Sequence, residues 1–376
     1  MSPINQYVFN IRNVAVENRY MVLRKQNSAW VMSSLFAASL YASPALAENW
    51  ADRILVTGFM SAKYQKINEK EFFNGDIDSG VGKDGSFRGT MLGLNINTAI
   101  DDRVSLAAQF LATQEDSDYV THLDWGFVAV SLSDDLKVRA GKIKFPTGLV
   151  NEYVSVGNAY PWITPPMLFY TEDVSGPNNT REAYTGASGF WEYSRGDMNM
   201  NADVFGGEIK LEAMHVHNLT GAKFHIDWNE EINFQVSYYK GIMRDTLNAA
   251  MEGLSHTNYA LGMRIDWNNI VGYAEWANTE MELKALNGNS WYTTWGYQIG
   301  NWLPHLTYQY FEKGKDSASP QEQKLSTAGL RYDLSDVADL KIEYSIIKTE
   351  QGKGLFATTP VDDSINMFGV AIDVVF

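Results

Sequence analysis

The sequence predicts an all-β protein, a transmembrane antiparallel β-barrel of 16 strands with an inward-folded third loop. Three observations carry this. Apolar and polar side chains alternate along most of the chain, which places them on opposite faces of a strand. Short polar turns alternate with longer connections. Aromatic residues make up 13% of a chain whose mean hydropathy is only −0.26.

Composition excludes several classes. The 376 residues include no cysteine, which removes disulfide scaffolds, cysteine-ligated zinc, iron–sulfur centres and thiol catalysis. Lys and Arg number 30 against 45 Asp and Glu, a net charge of −15 that repels phosphate backbones, so no nucleic-acid partner is expected. The low hydropathy argues against a helical membrane bundle, which needs several apolar runs of ~20 residues.

Residues 26–47 carry no charge and follow Arg24-Lys25. Their apolar centre runs from Ala29 to Leu40, and Ala45-Leu46-Ala47 forms a small-x-small cleavage signal. This is the layout of a secretory signal peptide over residues 1–47, with Met21 the favoured start. A membrane anchor is the alternative, but the apolar centre is short and holds Ser33, Ser34 and Ser39. Residues 48–376 then form the barrel domain; without Arg12, Arg19, Arg24, Lys25 and Glu17 its balance is 26 basic against 44 acidic, or −18.

Alternation is cleanest in Ile232 to Tyr238 and in Thr257 to Trp267, and it recurs from Ala338 to Ile347. Turns between such runs divide the chain into strands near 54–66, 87–100, 104–114, 120–132, 136–145, 182–195, 198–209 and 218–228. They continue at 232–241, 255–267, 270–279, 289–300, 302–313, 322–334, 337–348 and 363–376. Arg244 to Leu254 could form a short helix within a loop. Short turns such as Asp101-Asp102-Arg103, Gly196-Asp197 and Asn268-Asn269 alternate with long connections, the largest being 67–86, 146–181, 242–254 and 349–362. In an up-and-down barrel all connections of one parity lie on one rim, and outer-membrane barrels keep the short ones periplasmic.

The polar face of nearly every strand carries Asn, Gln, Ser, Arg, Asp or Glu, too polar for the packed interior of so wide a ring. Apolar rows facing lipid and polar rows facing a water-filled lumen resolve this. Trp228, Trp267, Trp302 and Tyr332 then fall beside short turns, as a periplasmic aromatic belt. Tyr64, Tyr238, Tyr259, Trp276, Trp291 and Tyr310 fall toward the long loops, as an outer belt.

The chain ends Phe368-Gly369-Val370-Ala371-Ile372-Asp373-Val374-Val375-Phe376, with an aromatic last residue sharing a face with Val374, Ile372, Val370 and Phe368. This resembles the terminal-strand insertion signal of Gram-negative outer-membrane β-barrels. Arg139-Ala140-Gly141-Lys142-Ile143-Lys144-Phe145-Pro146-Thr147-Gly148-Leu149 resembles the fifth-strand segment of porins related to the phosphate-selective porin family, where a basic strand end leads into a loop that enters the channel. The resemblance implies a sixteen-stranded general or substrate-preferring porin in the outer membrane, usually a homotrimer, whose third loop narrows a pore for small hydrophilic solutes. The chain departs from the phosphate-selective pattern in its strong acidity and its lack of an arginine ladder.

The connection 146–181 is the longest in the chain, and loops beyond about 12–15 residues are usually functional or disordered. Its apolar and aromatic residues can pack, and Pro161, Pro165 and Pro166 stiffen it. It reads as a constriction loop on the inner wall; a cap over the outer mouth or a contact with a neighbouring protomer is the alternative. Candidate pore residues are Arg139, Lys142, Lys144, Glu152, Tyr160, Trp162, Glu172, Asp173, Arg264 and Arg331. Further lumen charges are Lys63, Lys223, Asp203, Asp227, Asp266, Glu275, Asp333 and Glu343. Opposed charges select permeants by sign and size. Lys142 and Lys144 share the face of Leu136, Val138 and Ala140, so either a bulge re-aims them inward or they sit above the membrane at the loop base.

Glu69, Glu71, Asp76 and Asp78 in the first loop could meet divalent cations that bridge lipopolysaccharide. His215 and His217 are two residues apart and could bind a metal, though two ligands make a weak site. Asn178-Asn179-Thr180 matches a glycosylation acceptor incidentally. No Gly-x-Ser-x-Gly elbow, phosphate loop or His-Glu-x-x-His motif occurs, so no enzyme and no cofactor is expected. The competing functions are a structural or adhesive barrel without an open pore and a barrel-embedded hydrolase. A plugged twenty-two-strand transporter does not fit the length.

Overall fold

The computed structural model describes residues 53–74, 80–115, 118–170, 183–210, 215–244 and 249–376. The expected signal peptide 1–47 lies outside these residues, as do Asp76, Asp78, Glu172, Asp173 and Asn178-Asn179-Thr180.

The strands are, in order, β1 (Ile54–Ile67), β2 (Met91–Ala99), β3 (Val104–Glu115), β4 (Asp118–Ser131), β5 (Leu136–Lys144), β6 (Ala183–Arg195), β7 (Met198–Lys210) and β8 (His215–Trp228). They continue as β9 (Ile232–Arg244), β10 (Ser255–Trp267), β11 (Ile270–Met281), β12 (Gly288–Tyr297), β13 (Trp302–Lys313), β14 (Gln321–Ser335), β15 (Ala338–Gln351) and β16 (Ser364–Val375). Each pairs antiparallel with its neighbours in sequence, and β1 pairs with β16 to close the barrel. At the seam Phe376 and Gly58 exchange backbone hydrogen bonds of 2.8 and 2.9 Å. The Phe376 ring packs over Gly58, 2.5 Å from where a Cβ would stand, so a larger residue there would push the ring aside.

The short turns work because their residues accept left-handed backbone. Asn268 and Asn269 have φ of 48° and 69°, and Asn229 and Glu230 have 54° and 58°. Two successive positive φ values match the right-handed twist of the flanking strands. β2 begins four residues later than alternation suggests, because residues 87–90 form a turn with Thr90 N–H bonded to Phe87 O. The expected helix at 244–254 is reduced to one 3₁₀ turn, Ala249–Met251; residues 245–248 lie outside the described set.

The outward rows are apolar and exposed, from Leu92 and Leu94 on β2 to Ile342 and Tyr344 on β15. Belt residues point outward: Trp228, Trp267 and Trp302 are exposed, and Trp302 stacks on Tyr332 at 4.2 Å. Tyr238 packs on Tyr259 at 5.2 Å and Trp291 on Tyr310 at 6.0 Å. The belts are uneven. On β2–β5 the outward rows carry only Phe110 and Tyr119 as aromatic residues, with Ala108, Ala112, Gly126 and Ala140 beside them. From β6 to β14 Trp and Tyr recur on almost every strand.

Candidate functional site

Loop 3, between β5 and β6, is ordered from Phe145 to Tyr170 without regular strands. Two 3₁₀ turns, Asn151–Tyr153 and Gly157–Ala159, give it local shape. The Asn151 side chain donates to Phe145 O, and Phe169 and Tyr170 N–H both donate to Pro166 O. Val150, Val156, Tyr160, Trp162, Phe169 and Tyr170 are buried in one cluster with Phe59, Leu111, Tyr273 and Tyr292 from the inward rows of the wall.

Polar contacts tie this segment to the inward rows. Glu275 on β11 accepts from Leu149 N–H at 2.7 Å, Tyr292 O–H at 2.5 Å and the Tyr170 hydroxyl. One carboxylate thus holds both ends of the described loop. At the tip, Lys341 on β15 donates to Gly157 O at 2.6 Å and pairs with Asp373 on β16 at 2.9 Å. Asn158 donates to Asp339 at 2.7 Å, and Arg331 donates to Asn158 O at 2.8 Å and Tyr160 O at 3.1 Å. Gly157 packs directly against Asp373 and Ser61, where any Cβ would collide. Between these anchors, Trp162 Nε1–H donates to Thr294 and Thr307, each at 3.0 Å, while Ile163 N–H meets Glu343 and Leu168 N–H meets Gln309. Each such bond is worth about 1 kcal/mol net, and more where a charge takes part.

The candidate charges fall into paired sets. Arg139 bonds Asp203 and donates to Ser188 at 3.0 Å, with its guanidinium 5.6 Å from the Phe127 ring and 4.8 Å from the Phe190 ring. Lys223 on β8 meets Glu152 at 3.1 Å, Arg264 meets Asp266 at 3.1 Å, and Arg331 meets Asp333 at 2.9 Å and Asp339 at 3.2 Å. Glu152 is the sole charge between Phe145 and Thr171 in the sequence. Its enclosure works against the charged form, but Lys223 and Arg139 outweigh that and hold its carboxyl below the ordinary value.

Lys142 and Lys144 part company. Lys142 keeps its place in the outward row, paired with Gly126 and Thr185, and its Nζ donates to Leu123 O at 2.8 Å. It therefore does not line the lumen. Past that pair β5 no longer bonds to β4, and a bulge at Asp124 on β4 turns that carboxylate to meet Lys144 at 2.9 Å and Gln109 at 2.7 Å. Both charges of the Asp124–Lys144 pair are buried.

Sequence reasoning missed Asp339, Lys341 and Asp373 as loop anchors. A signal was present: Asp373 is the one charged residue of the final strand, and Asp339 and Lys341 sit on the polar row of β15 that faces it. Only the register shows that the three converge. Among the described residues no group of three or more His, Cys, Asp or Glu could hold a metal, and His217 instead lies 3.5 Å from Glu208.

A family model described as Gram-negative porin matches residues 34–352 of the chain. No curated protein matches it. Among solved structures, OmpF of Salmonella typhi in complex with daunomycin superposes with a TM-score of 0.60 at 13% identity, over 88% of this chain and 100% of the other. An anion-selective porin from Comamonas acidovorans gives 0.59 at 13% identity, over 86% and 99%. A trimer form of OmpT, an outer membrane protein of Vibrio cholerae, gives 0.55 at 11% identity, over 86% and 99%. At such identities the likeness is one of fold.

Proposed function

Because the chain belongs to the Gram-negative porin family, we propose that loop 3 narrows its channel and that Glu152, held against the β5–β8 wall by Lys223, sets the field at the narrow part. The protein is an outer-membrane channel for small solutes. Passage involves no covalent step on this reading, so the work is done by width, hydration and charge rather than by a catalytic group. Residues 1–47 serve as the export signal, and lipid, lipopolysaccharide and small hydrophilic permeants are the partners.

The observation that carries the constriction is the double anchoring of loop 3, by Glu275 at its ends and by Lys341, Asp339 and Arg331 at its tip. A segment held at so many points across β11–β16 is a fixed part of the lumen. Nearly every basic group at the site is matched by an acid on the wall, whereas Lys223 is matched by the loop. Neutralising Glu152 thus uncovers a positive charge. One charge ~6 Å from a permeant ion is worth about 0.7–1.4 kcal/mol at an effective dielectric of ~40–80. Glu152→Gln should therefore lower cation permeability and raise anion permeability, each about threefold to tenfold. Reversal potentials in a salt gradient measure this, and an unchanged ratio removes Glu152 from the selective field.

The assembly we propose is a homotrimer, in keeping with the trimer form of the OmpT relative. The outward rows of β2–β5, almost without belt aromatics and rich in small residues, suit contact with protein better than with headgroups.

A further inference from the structure

The inward-row aromatic rings divide sharply by exposure. Trp125, Tyr184, Phe205, Tyr239, Tyr273, Tyr292 and Phe311 are all buried under other side chains. Among the described residues, Phe127 on β4 and Phe190 on β6 are the inward-row phenyl rings that remain half-buried rather than buried. Both lie within cation–π reach of the Arg139 guanidinium, which Asp203 and Ser188 also hold. That stack holds the two rings in place and spends the arginine's charge locally. What stays open to the lumen is ring surface.

The accessible charge nearby has the opposite sign. Glu152 meets Lys223 at 3.1 Å; Lys223 pairs across β7–β8 with Asp203, which lies opposite Phe190 and bonds Arg139, so the carboxylate sits on the same patch of wall as the ring pair. The Glu152 side chain is 47% exposed, against 4% for Lys223 and 12% for Arg139. Tyr153, next along the loop, is half-buried as well. A passing solute therefore meets two fixed phenyl surfaces and one exposed carboxylate.

Resting on the channel reading above, we infer that Phe127, Phe190 and Glu152 form a subsite for small organic ammonium ions that carry an apolar or aromatic body. The carboxylate attracts the ammonium head, and the rings take the body out of water. A solute with the head alone gains only the first contact, and an aromatic anion gains only the second while meeting Glu152 unfavourably.

The test compares phenylethylammonium with ethylammonium in planar bilayers, as bi-ionic reversal potentials against potassium on the purified protein. The wild-type channel should favour phenylethylammonium over its smaller analogue despite its size. Phe127→Ala combined with Phe190→Ala should lower the phenylethylammonium/ethylammonium ratio about threefold to tenfold. Phe190→Tyr, which keeps a ring beside wild-type Phe127, should retain most of the wild-type ratio. Where the double alanine variant does not fold, as judged by heat-modified mobility in gels, Phe190→Leu carries the same comparison. A wild-type ratio ordered by size alone, or one unmoved by these substitutions, overturns the subsite. Folded protein with no conductance at all would instead overturn the channel reading on which it rests.

Discussion

Glu275 is the most demanding joint in the molecule, because one side chain serves three donors. Replacing it with alanine leaves Leu149 N–H and the Tyr170 and Tyr292 hydroxyls without their acceptor. Tyr170 and Tyr292 are buried, and a buried donor left unpaired costs about 1–3 kcal/mol, so Glu275→Ala should cost about 2–6 kcal/mol through these two hydroxyls. Glu275→Gln keeps one carbonyl acceptor and the side-chain shape, and should cost about 1–3 kcal/mol. Tyr170→Phe removes a donor rather than the shared acceptor and should cost about 0.5–1.5 kcal/mol. The loop tip remains tied through Lys341, so the barrel should still close while the loop ends loosen. Heat-modified gel mobility gives the stability order, and single-channel recordings give the loop's freedom as excess current noise. The expected order of loss is alanine, then glutamine, then Tyr170→Phe, with noise rising in the same sequence. If Glu275→Ala unfolds no earlier than Tyr170→Phe and its open-channel current is as quiet as wild type, the shared-acceptor argument is wrong.

Two further outcomes follow from paired groups. Asp124→Ala strands the buried Lys144 and Lys144→Ala strands Asp124, so each single change should cost about 3–5 kcal/mol while the double change costs clearly less than their sum. Thermal unfolding of the two singles and the double checks this. In the first loop, Glu69 accepts from Lys70, Val361 and Asp362 N–H, the last two at 3.1 and 3.2 Å, and so joins loops 68–90 and 352–363. Burial opposes its charge, but these N–H groups prevail and hold its carboxyl below the ordinary value. Its contribution is therefore complete above the ordinary carboxylate value and is lost as pH falls through the lower folded value. Limited proteolysis of loop 68–90 should accelerate on acidification in the wild-type protein, and Glu69→Gln should be cleaved faster at neutral pH with a flatter acid response.

Most of the barrel was legible because alternation, turn chemistry and strand number depend on local sequence. β10 and β13 match their expected limits, and Asn268-Asn269 marks its turn by residue type alone. The differences arise where neighbours decide. β2 starts late because residues 87–90 turn back before pairing begins. Lys142 and Lys144 look alike in sequence, yet a bulge on a different strand gives only Lys144 a buried acid to pair with. The same holds for the loop. Its stiffness could be read from Pro161, Pro165 and Pro166, and Glu152 could be read as one of its candidate charges, but the Glu275 joint spans 105 to 126 positions of sequence. No local pattern encodes such a contact.

The bond between Gly58 and Phe376 joins almost the first described strand residues to the last residue of the chain. Until that bond forms, β1 and β16 each present a bare row of backbone donors and acceptors, a template for pairing with any other chain. The seam joins the two strands farthest apart in sequence, and it covers both rows at once. A sheet without that pairing is not a slightly smaller barrel; it is an open sheet with two bare edges. Closure therefore rests on one long-range pairing, with the Phe376 ring set against Gly58.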